Sequence, residues 1–280
     1  MNIRVTAGRS PDGAPAPRLV DHDADRRFRA LAAALRLDAD ARYVGGYVDW
    51  EWRHSRHVFD GLIEPVAGRA VLELGCNVGA TAIVLASLGA RVTAVDPELA
   101  YVELARANAE RHGLGERITF VHVPDTRQMP FETGQFDWVS CNSVLEYIPD
   151  EALDDVLRSA DRVLRRGGLL AILGTSNRLW PREGHSKRWL VHYAPRWLDP
   201  VGARRPVRRG VAASRIRSVL GDYVDLIQED GGRLFLAMKA RMGVPPWKLA
   251  VAEASRRPLA RLGTSIGYFA PTLSMALRKQ

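Results

Sequence analysis

Glu73, Gly75, Gly79 and Asp96 are the residues whose types and spacing are best suited to chemistry. Residues 71–74 form a short apolar run of strand character, interrupted by Glu73. Gly75 and Gly79 bracket a tight turn, and residues 80–88 read as a buried helix. A second strand at 91–95 ends on Asp96, 21 positions after Gly75. Strand, glycine turn, helix, strand and acid make the layout of a nucleoside crevice at the edge of a parallel sheet. The glycines remove side chains where a ligand must touch the backbone. Asp96 can accept hydrogen bonds from two ribose hydroxyls. A lone glycine pair would do no more than close a strand–helix joint; Glu73 and Asp96 in register with it favour a ligand.

A dinucleotide turn would read G-x-G-x-x-G and face a pyrophosphate with a helix N-terminus. Here Asn77 and Ala80 stand where two of those glycines would be, and the Glu73 carboxylate would repel a diphosphate. A cationic nucleoside suits it better, and S-adenosylmethionine is one: it has a ribose, a sulfonium and an ammonium, and no phosphate. At these residues the chain resembles the class I methyltransferases, whose first motif runs acid-x-Gly-x-Gly-x-Gly, with Asn77 in place of the middle glycine. Residues 136–147, FDWVSCNSVLEY, resemble the fourth-strand motif of the ubiquinone and menaquinone methyltransferase type, which usually carries His where Tyr147 stands.

The resemblance covers roughly residues 65–175, where four motifs fall in order at compatible spacing. It implies a Rossmann-like, doubly wound, seven-stranded mixed sheet with the last strand antiparallel and helices on both faces. It further implies S-adenosylmethionine as cofactor and S-adenosylhomocysteine as product. Cofactor contacts are expected from Glu73, Gly75, Cys76, Asn77, Gly79, Asp96 and Pro97. Asp125 should accept from the adenine amino group, Thr126 should lie beside the ring, and Asn142 should meet the methionine part. Arg56 is the candidate for the ligand's carboxylate.

The elements that must position these residues alternate along the chain. Residues 24–37 read as a helix with Phe28, Leu31, Ala32 and Leu35 inward. Residues 42–62, with Tyr47 and Trp50 among charged neighbours, are too aromatic for a solvent helix and are expected to be covered on one side. Residues 21–64 are therefore expected to form an N-terminal helical cap or lid, with Tyr47 and Trp50 touching substrate. Pro97 is placed for a first helical position, opening a helix to about Arg111 with Leu99, Val102, Ala105 and Ala109 inward. Strands follow at 118–123 and 136–141. A helix over Leu153–Leu164 is expected to stop at a Gly167-Gly168 cap, followed by a strand at 169–173. Such alternation argues a parallel sheet.

Farther on, residues 212–220 read as a helix and 223–227 as a strand. Residues 270–278 read as a final strand that starts at an edge because of Pro271. The methyltransferase domain is thus expected over 65–280, with a substrate loop at 177–210 and an insertion at 229–265. That insertion is expected to be a packed subdomain, with a substrate lid or a membrane-surface helix as the alternatives. The loop holds Asn177, Trp180, Glu183, His185, His192 and Tyr193, at the same carboxyl edge as the cofactor in an open α/β sheet. Methyl transfer requires alignment of acceptor, methyl and sulfur and exclusion of water. A hydroxyl acceptor must also lose its proton to a base. His185 is the first candidate and His192 the second, with Glu183 to orient His185. Each could equally be a hydrogen-bonded packing residue. Asn177, Trp180, Tyr193 and Tyr147 are expected at the substrate.

The chain has 280 residues, 46% hydrophobic and 26% charged, which fits one large folded α/β domain with insertions. Residues 1–20, with Pro11, Gly13, Pro15 and Pro17, read as a flexible leader. No membrane span and no secretory signal are read, and Cys76 and Cys141 make no disulfide framework, so a cytoplasmic setting is expected. No His/Cys cluster has ligand spacing, so no metal is expected. The net charge is +8, and Arg204, Arg205, Arg208, Arg209, Arg215 and Arg217 follow one another without an intervening acid. This strip is read as a solvated face, with an acidic substrate as the second reading and peripheral contact with a membrane also open. Together these features point to methyl transfer to a small molecule, with oxygen favoured over nitrogen or carbon. A nucleic-acid methyltransferase is a poorer reading: amino-methylating DNA enzymes place Asn/Asp-Pro-Pro-aromatic after the fourth strand to grip a flipped base, and this chain has Cys-Asn-Ser-Val-Leu there. A non-catalytic binding module is disfavoured by the intact Glu73, Gly75, Asp96 and Asp125. The acceptor's identity and the oligomeric state are not encoded in any readable pattern.

Overall fold

The structure, a computed structural model, describes residues 15–201 and 207–280. In chain order its helices and strands are α1 (His22–Ala34), α2 (Tyr47–His54), α3 (Arg56–Phe59), β1 (Ala70–Leu74), α4 (Ala80–Ser87), β2 (Arg91–Asp96), α5 (Leu99–Arg111), β3 (Ile118–His122), β4 (Phe136–Asn142), α6 (Asp150–Val163), β5 (Leu164–Ser176), α7 (Ala213–Leu220), β6 (Tyr223–Asp225), α8 (Arg233–Arg241), α9 (Pro246–Arg261) and β7 (Thr272–Lys279). The strands form one seven-stranded sheet in the order β3-β2-β1-β4-β5-β7-β6. β1 runs parallel to β2, and β2 to β3, while β7 runs antiparallel to both β5 and β6. This is the mixed, Rossmann-like sheet implied by the motifs.

The described residues belong to two compact units. The first contains the chain through Thr126 with Phe136–Val139 and Met238–Val244. Its centre is built from β1 and α4. Val71, Leu72, Glu73 and Leu74 are all buried, as are residues 80–86 of α4, so this helix has no solvent face. Fully buried aliphatic side chains such as Leu72, Ile83 and Leu85 contribute about 1.5–3 kcal/mol each. The turn joining β1 to α4 is therefore anchored rigidly at both ends. α1 begins at Asp21, whose carboxylate accepts from the amides of Asp23 and Ala24. Its Phe28 packs under the buried Arg111 guanidinium, 3.8 Å from the ring centroid. Arg111 also donates to Asp25, to Asn108 and to the Gly45 carbonyl. One buried cation thus ties α1 and the loop before α2 to α5.

Several expectations change within this unit. α5 starts at Leu99 with Glu98 at its N-cap, so Pro97 precedes the helix rather than opening it. The Asp96 carboxylate accepts the Glu98 amide at 3.1 Å, which displaces the start by two residues. Leu99 is exposed, while Val102, Ala105 and Ala109 are buried as read. Residues 1–14 of the expected leader lie outside the described residues. The part that is described is packed: Ala16 is buried with Trp52 and Val84, and the Val20 amide donates to the Arg111 carbonyl.

The second unit contains Arg127–Gln135, Ser140–Ala237 and Pro245–Gln280. α6 buries Leu153, Val156, Leu157, Ala160 and Val163 at helical spacing. It does not end on a glycine cap. Leu164 is already extended, and β5 runs unbroken through Gly167 and Gly168 to Ser176. Gly167 has φ +70° inside this run, so its glycine serves the strand and not a helix terminus. β6 pairs only with the end of β7, at Leu277 to Lys279, so the start of β7 beside Pro271 has β5 on one side and no described strand on the other, as an edge there requires. The expected insertion contains α8 and α9; α8 includes the buried Phe235, Leu236 and Met238, whereas α9 has no buried residue.

Candidate functional site

In the first unit, the turn after β1 is shaped by three left-handed residues. Gly75, Asn77 and Gly79 have φ of +74°, +48° and +76°. Asparagine is among the few side chains that tolerate this region, which explains how Asn77 replaces a glycine without losing the turn. Gly79 has no such latitude, because a Cβ there would lie 3.0 Å from the Ala105 Cβ and 3.2 Å from its backbone. The Gly75 and Cys76 amides donate to the Val95 carbonyl, each at 2.9 Å, and stitch the turn to β2.

Asp96 closes the arrangement. One carboxylate oxygen accepts the Asn77 amide at 2.9 Å and the other accepts the Glu98 amide at 3.1 Å. Each oxygen keeps a lone pair for a further donor, as a ribose diol requires. Burial raises the carboxyl's pKa, and the two amides oppose that rise. Glu73 is buried one strand away. Burial raises its pKa well above the usual range, the Glu51 charge adds to this, and a hydrogen bond with Thr81 opposes it. Its Oε2 has no hydrogen-bond partner. A buried, unpartnered carboxylate oxygen is costly unless a cation or donor meets it. A sulfonium or ammonium group fits this donor set; a pyrophosphate does not. Burial also pushes the Cys76 thiol up, so it carries no thiolate chemistry. Asp125 and Thr126 are half-buried after β3.

The first unit also holds Arg56, Tyr47 and Trp50. Arg56 is buried, 4.8 Å from the centroid of the Trp52 ring and 3.9 Å from Asp60. Its charge thus already has contacts within the chain. Tyr47 and Trp50 are half-buried with centroids 5.7 Å apart, and Trp50 stacks on His54 at 4.3 Å.

The second unit holds the remaining candidates, and His185 has the most developed setting. Its Nε2 lies 3.7 Å from Glu146 Oε1, and its Nδ1 lies 3.4 Å from the Tyr147 hydroxyl. The Tyr147 ring meets the imidazole edge-on at 5.4 Å. Glu146 is buried and its other oxygen, Oε2, is unpartnered. The Arg208 guanidinium stands over Tyr147 at 4.9 Å. Burial raises the Tyr147 phenol, with Glu146 reinforcing and Arg208 opposing, so it stays protonated at neutral pH.

Glu183 does not orient the imidazole. Its two oxygens accept the His185 amide at 2.8 Å and the Ser186 amide at 2.5 Å. Two residues of separation bring its carboxylate to the loop's amides, and the ring is served instead by Glu146, 39 positions earlier. Burial would raise Glu183, but the hydrogen bonds from Ser186 and the His185 amide outweigh it and lower its pKa. His192 is buried with Nδ1 unpartnered. Burial lowers its pKa against the pull of the Arg209 backbone and Glu183, which leaves it neutral at pH 7. The Asn177 side chain is spent on backbone: it donates to the Tyr268 and Ala270 carbonyls and accepts the Leu179 amide. Trp180 is half-buried, and the exposed Tyr193 donates to the Leu179 carbonyl at 2.8 Å. Asn142 is half-buried at the end of β4, and a Cβ on Gly174 would lie 3.0 Å from its Oδ1.

The arginine strip is not a uniformly solvated face. Arg204 and Arg205 lie outside the described residues. Arg209 makes a two-pronged pair with Asp199, and Arg215 binds Asp150 and Asp154. Among the described residues no group of three His, Cys, Asp or Glu side chains could hold a metal ion. None of the described helices is long and apolar enough to cross a membrane.

Sheet order, left-handed turn and terminal acid together make the nucleoside crevice of a Rossmann-like sheet. Residues 71–168 match the family described as a methyltransferase domain. The ubiquinone biosynthesis O-methyltransferase of Psychrobacter arcticus is 33% identical over 133 residues, covering 48% of this chain and 48% of the relative. That of Methylocella silvestris is 38% identical over 157 residues, 53% of this chain and 59% of the relative. Methyltransferase GfsG of Streptomyces halstedii is 36% identical over 107 residues, 38% and 37% of the two chains. The chain thus spans about half the length of the first two of these relatives. A solved structure from Galdieria sulphuraria, proposed to be a sarcosine dimethylglycine methyltransferase, is 15% identical with a TM-score of 0.51, covering 92% of this chain and 98% of that one. At that identity the likeness shows the fold.

Proposed function

We propose that the protein transfers a methyl group from S-adenosylmethionine to a hydroxyl of a small molecule. The cofactor half of this reading is carried by Glu73 and Asp96, two buried carboxylates on adjacent strands, one with an oxygen awaiting a cation. When bound, the cofactor supplies an electrophilic methyl group on a positively charged sulfur. Asp96 holds the ribose hydroxyls, and Glu73 offsets the positive charge. Asp125 and Thr126 frame the adenine.

The choice of oxygen is supported by the cluster around His185. A hydroxyl is a weak nucleophile until it gives up its proton, and an imidazole is suited to accept one near neutral pH. Glu146, 3.7 Å from Nε2, stabilises the imidazolium that forms. The Tyr147 hydroxyl, 3.4 Å from Nδ1, limits the ring's rotation. His192, buried and neutral, and Glu183, bound to backbone, are loop-building residues in this scheme. The names of the ubiquinone biosynthesis relatives also favour an oxygen acceptor.

The test is formation of S-adenosylhomocysteine from S-adenosylmethionine on offering a panel of phenols, catechols, aliphatic hydroxyls and matched amines. Turnover with a hydroxyl compound, lost in His185→Ala while cofactor binding persists, is the expected result. Turnover with amines alone would overturn the oxygen assignment. Failure to bind the cofactor would overturn the activity itself.

A further inference from the structure

We propose that α9 docks on a membrane surface carrying anionic lipid headgroups. At about 100° per residue, Trp247, Ala250, Val251, Ala254, Pro258 and Leu262 fall on one side of the helix and its C-cap. All six are exposed, Trp247 at 66%, Val251 at 64% and Leu262 at 78%. The outward face of α9 is therefore its apolar face, the reverse of what a solvent helix shows. Leu249, Ala252, Leu259 and Ala260, on the opposite side, are the half-buried ones.

The charges select the occupant. Arg257 borders the stripe on one edge and Lys248 on the other, while Arg261 falls between Ala250 and Ala254 at its C-terminal end, all three exposed. The Lys248 ammonium lies 5.4 Å from the centroid of the Trp247 ring. The helix's one acid, Glu253, lies beyond Arg257 on the same flank and is neutralised by Arg256, which also binds Asp230. An apolar stripe with cations on both edges is the pattern of a helix lying in a bilayer interface, with tryptophan at the headgroup level. A second copy of this chain would set cation against cation along both edges in a two-fold pairing. An anionic lipid surface neutralises both edges, and the chain's net charge of +8 adds long-range attraction.

The test uses the full chain with sucrose-loaded vesicles of phosphatidylcholine, with or without about one-third phosphatidylglycerol, at about 0.1 M salt. Three cations near an anionic surface predict roughly a hundred-fold preference for the mixed vesicles, weakening as salt is raised. Trp247→Ser should cut binding to mixed vesicles several-fold, and the double variant Arg257→Glu/Arg261→Glu should abolish the preference for them. Both variants should melt like the parent, because these side chains are exposed. No sedimentation with either vesicle, or equal sedimentation of parent and variants, would overturn the proposal. So would a dimer in sedimentation equilibrium that Trp247→Ser converts to monomer, which would assign the stripe to a second copy.

Discussion

Replacing Asp96 by alanine should damage the fold and the cofactor site by separable amounts. The carboxylate accepts two backbone amides, from Asn77 at 2.9 Å and Glu98 at 3.1 Å. Leaving a buried amide without a partner costs about 1–3 kcal/mol. Removing a carboxylate whose pKa is raised by burial returns part of that cost. A net loss of about 2 kcal/mol follows, which lowers the melting temperature by roughly 4–8 °C in a chain of this size. Loss of the ribose hydrogen bonds should weaken cofactor binding by a further 1–3 kcal/mol, roughly ten- to hundred-fold. Asp96→Asn, which keeps an acceptor for one amide, should fall between parent and alanine variant in both measurements. Differential scanning calorimetry reads the first quantity and titration calorimetry with S-adenosylmethionine the second. A variant that melts like the parent would refute the turn-holding role, and unchanged affinity would place the ribose elsewhere.

Asn77→Gly should be stable and bind cofactor like the parent, whereas Asn77→Val, which resists φ +48°, should lose about 1–3 kcal/mol in denaturant unfolding. Equal stability of the two variants would show that the turn is not strained. Glu146→Gln should slow hydroxyl methylation while leaving cofactor affinity intact, and unchanged turnover would detach Glu146 from His185. Asp225 is pushed up to about 6, chiefly by burial. A carboxyl raised in the folded state stabilises when protonated, so its contribution is full below about pH 4 and is lost as the pH rises through 6. The parent's melting temperature should therefore fall between pH 4.5 and 7 relative to that of Asp225→Asn, and parallel melting curves would contradict this.

The β1–turn–α4–β2 segment was legible because its signals are local. Apolar runs set the strands and helix, and Gly75, Asn77 and Gly79 sit where the backbone needs φ above zero. The grip of Asp96 on two amides was not legible, because that depends on the turn folding back over it. Gly167-Gly168 misled because a glycine pair after a helical stripe signals a cap, whereas here a left-handed residue lies inside β5. Pro271 marked the start of β7 as an edge, whereas the pairing of β6 onto its end depends on contacts between distant residues. Glu146 stood in the sequence directly before Tyr147, just past the fourth strand. That position was the available signal. It was outweighed by the short Glu183–His185 spacing, which the loop uses to bind its own amides. Arg215 looked solvated because its partners Asp150 and Asp154 lie some 60 residues earlier in the chain.

Titration of the purified full chain with S-adenosylmethionine, and separately with a nicotinamide dinucleotide, tests the central claim most directly. One molecule of S-adenosylmethionine per chain should bind, with affinity reduced in Glu73→Gln and Asp96→Ala, and the dinucleotide should give no heat. Silence with S-adenosylmethionine from a folded sample, or saturable binding of the dinucleotide, would contradict the assignment of Glu73 and Asp96 to a cationic nucleoside.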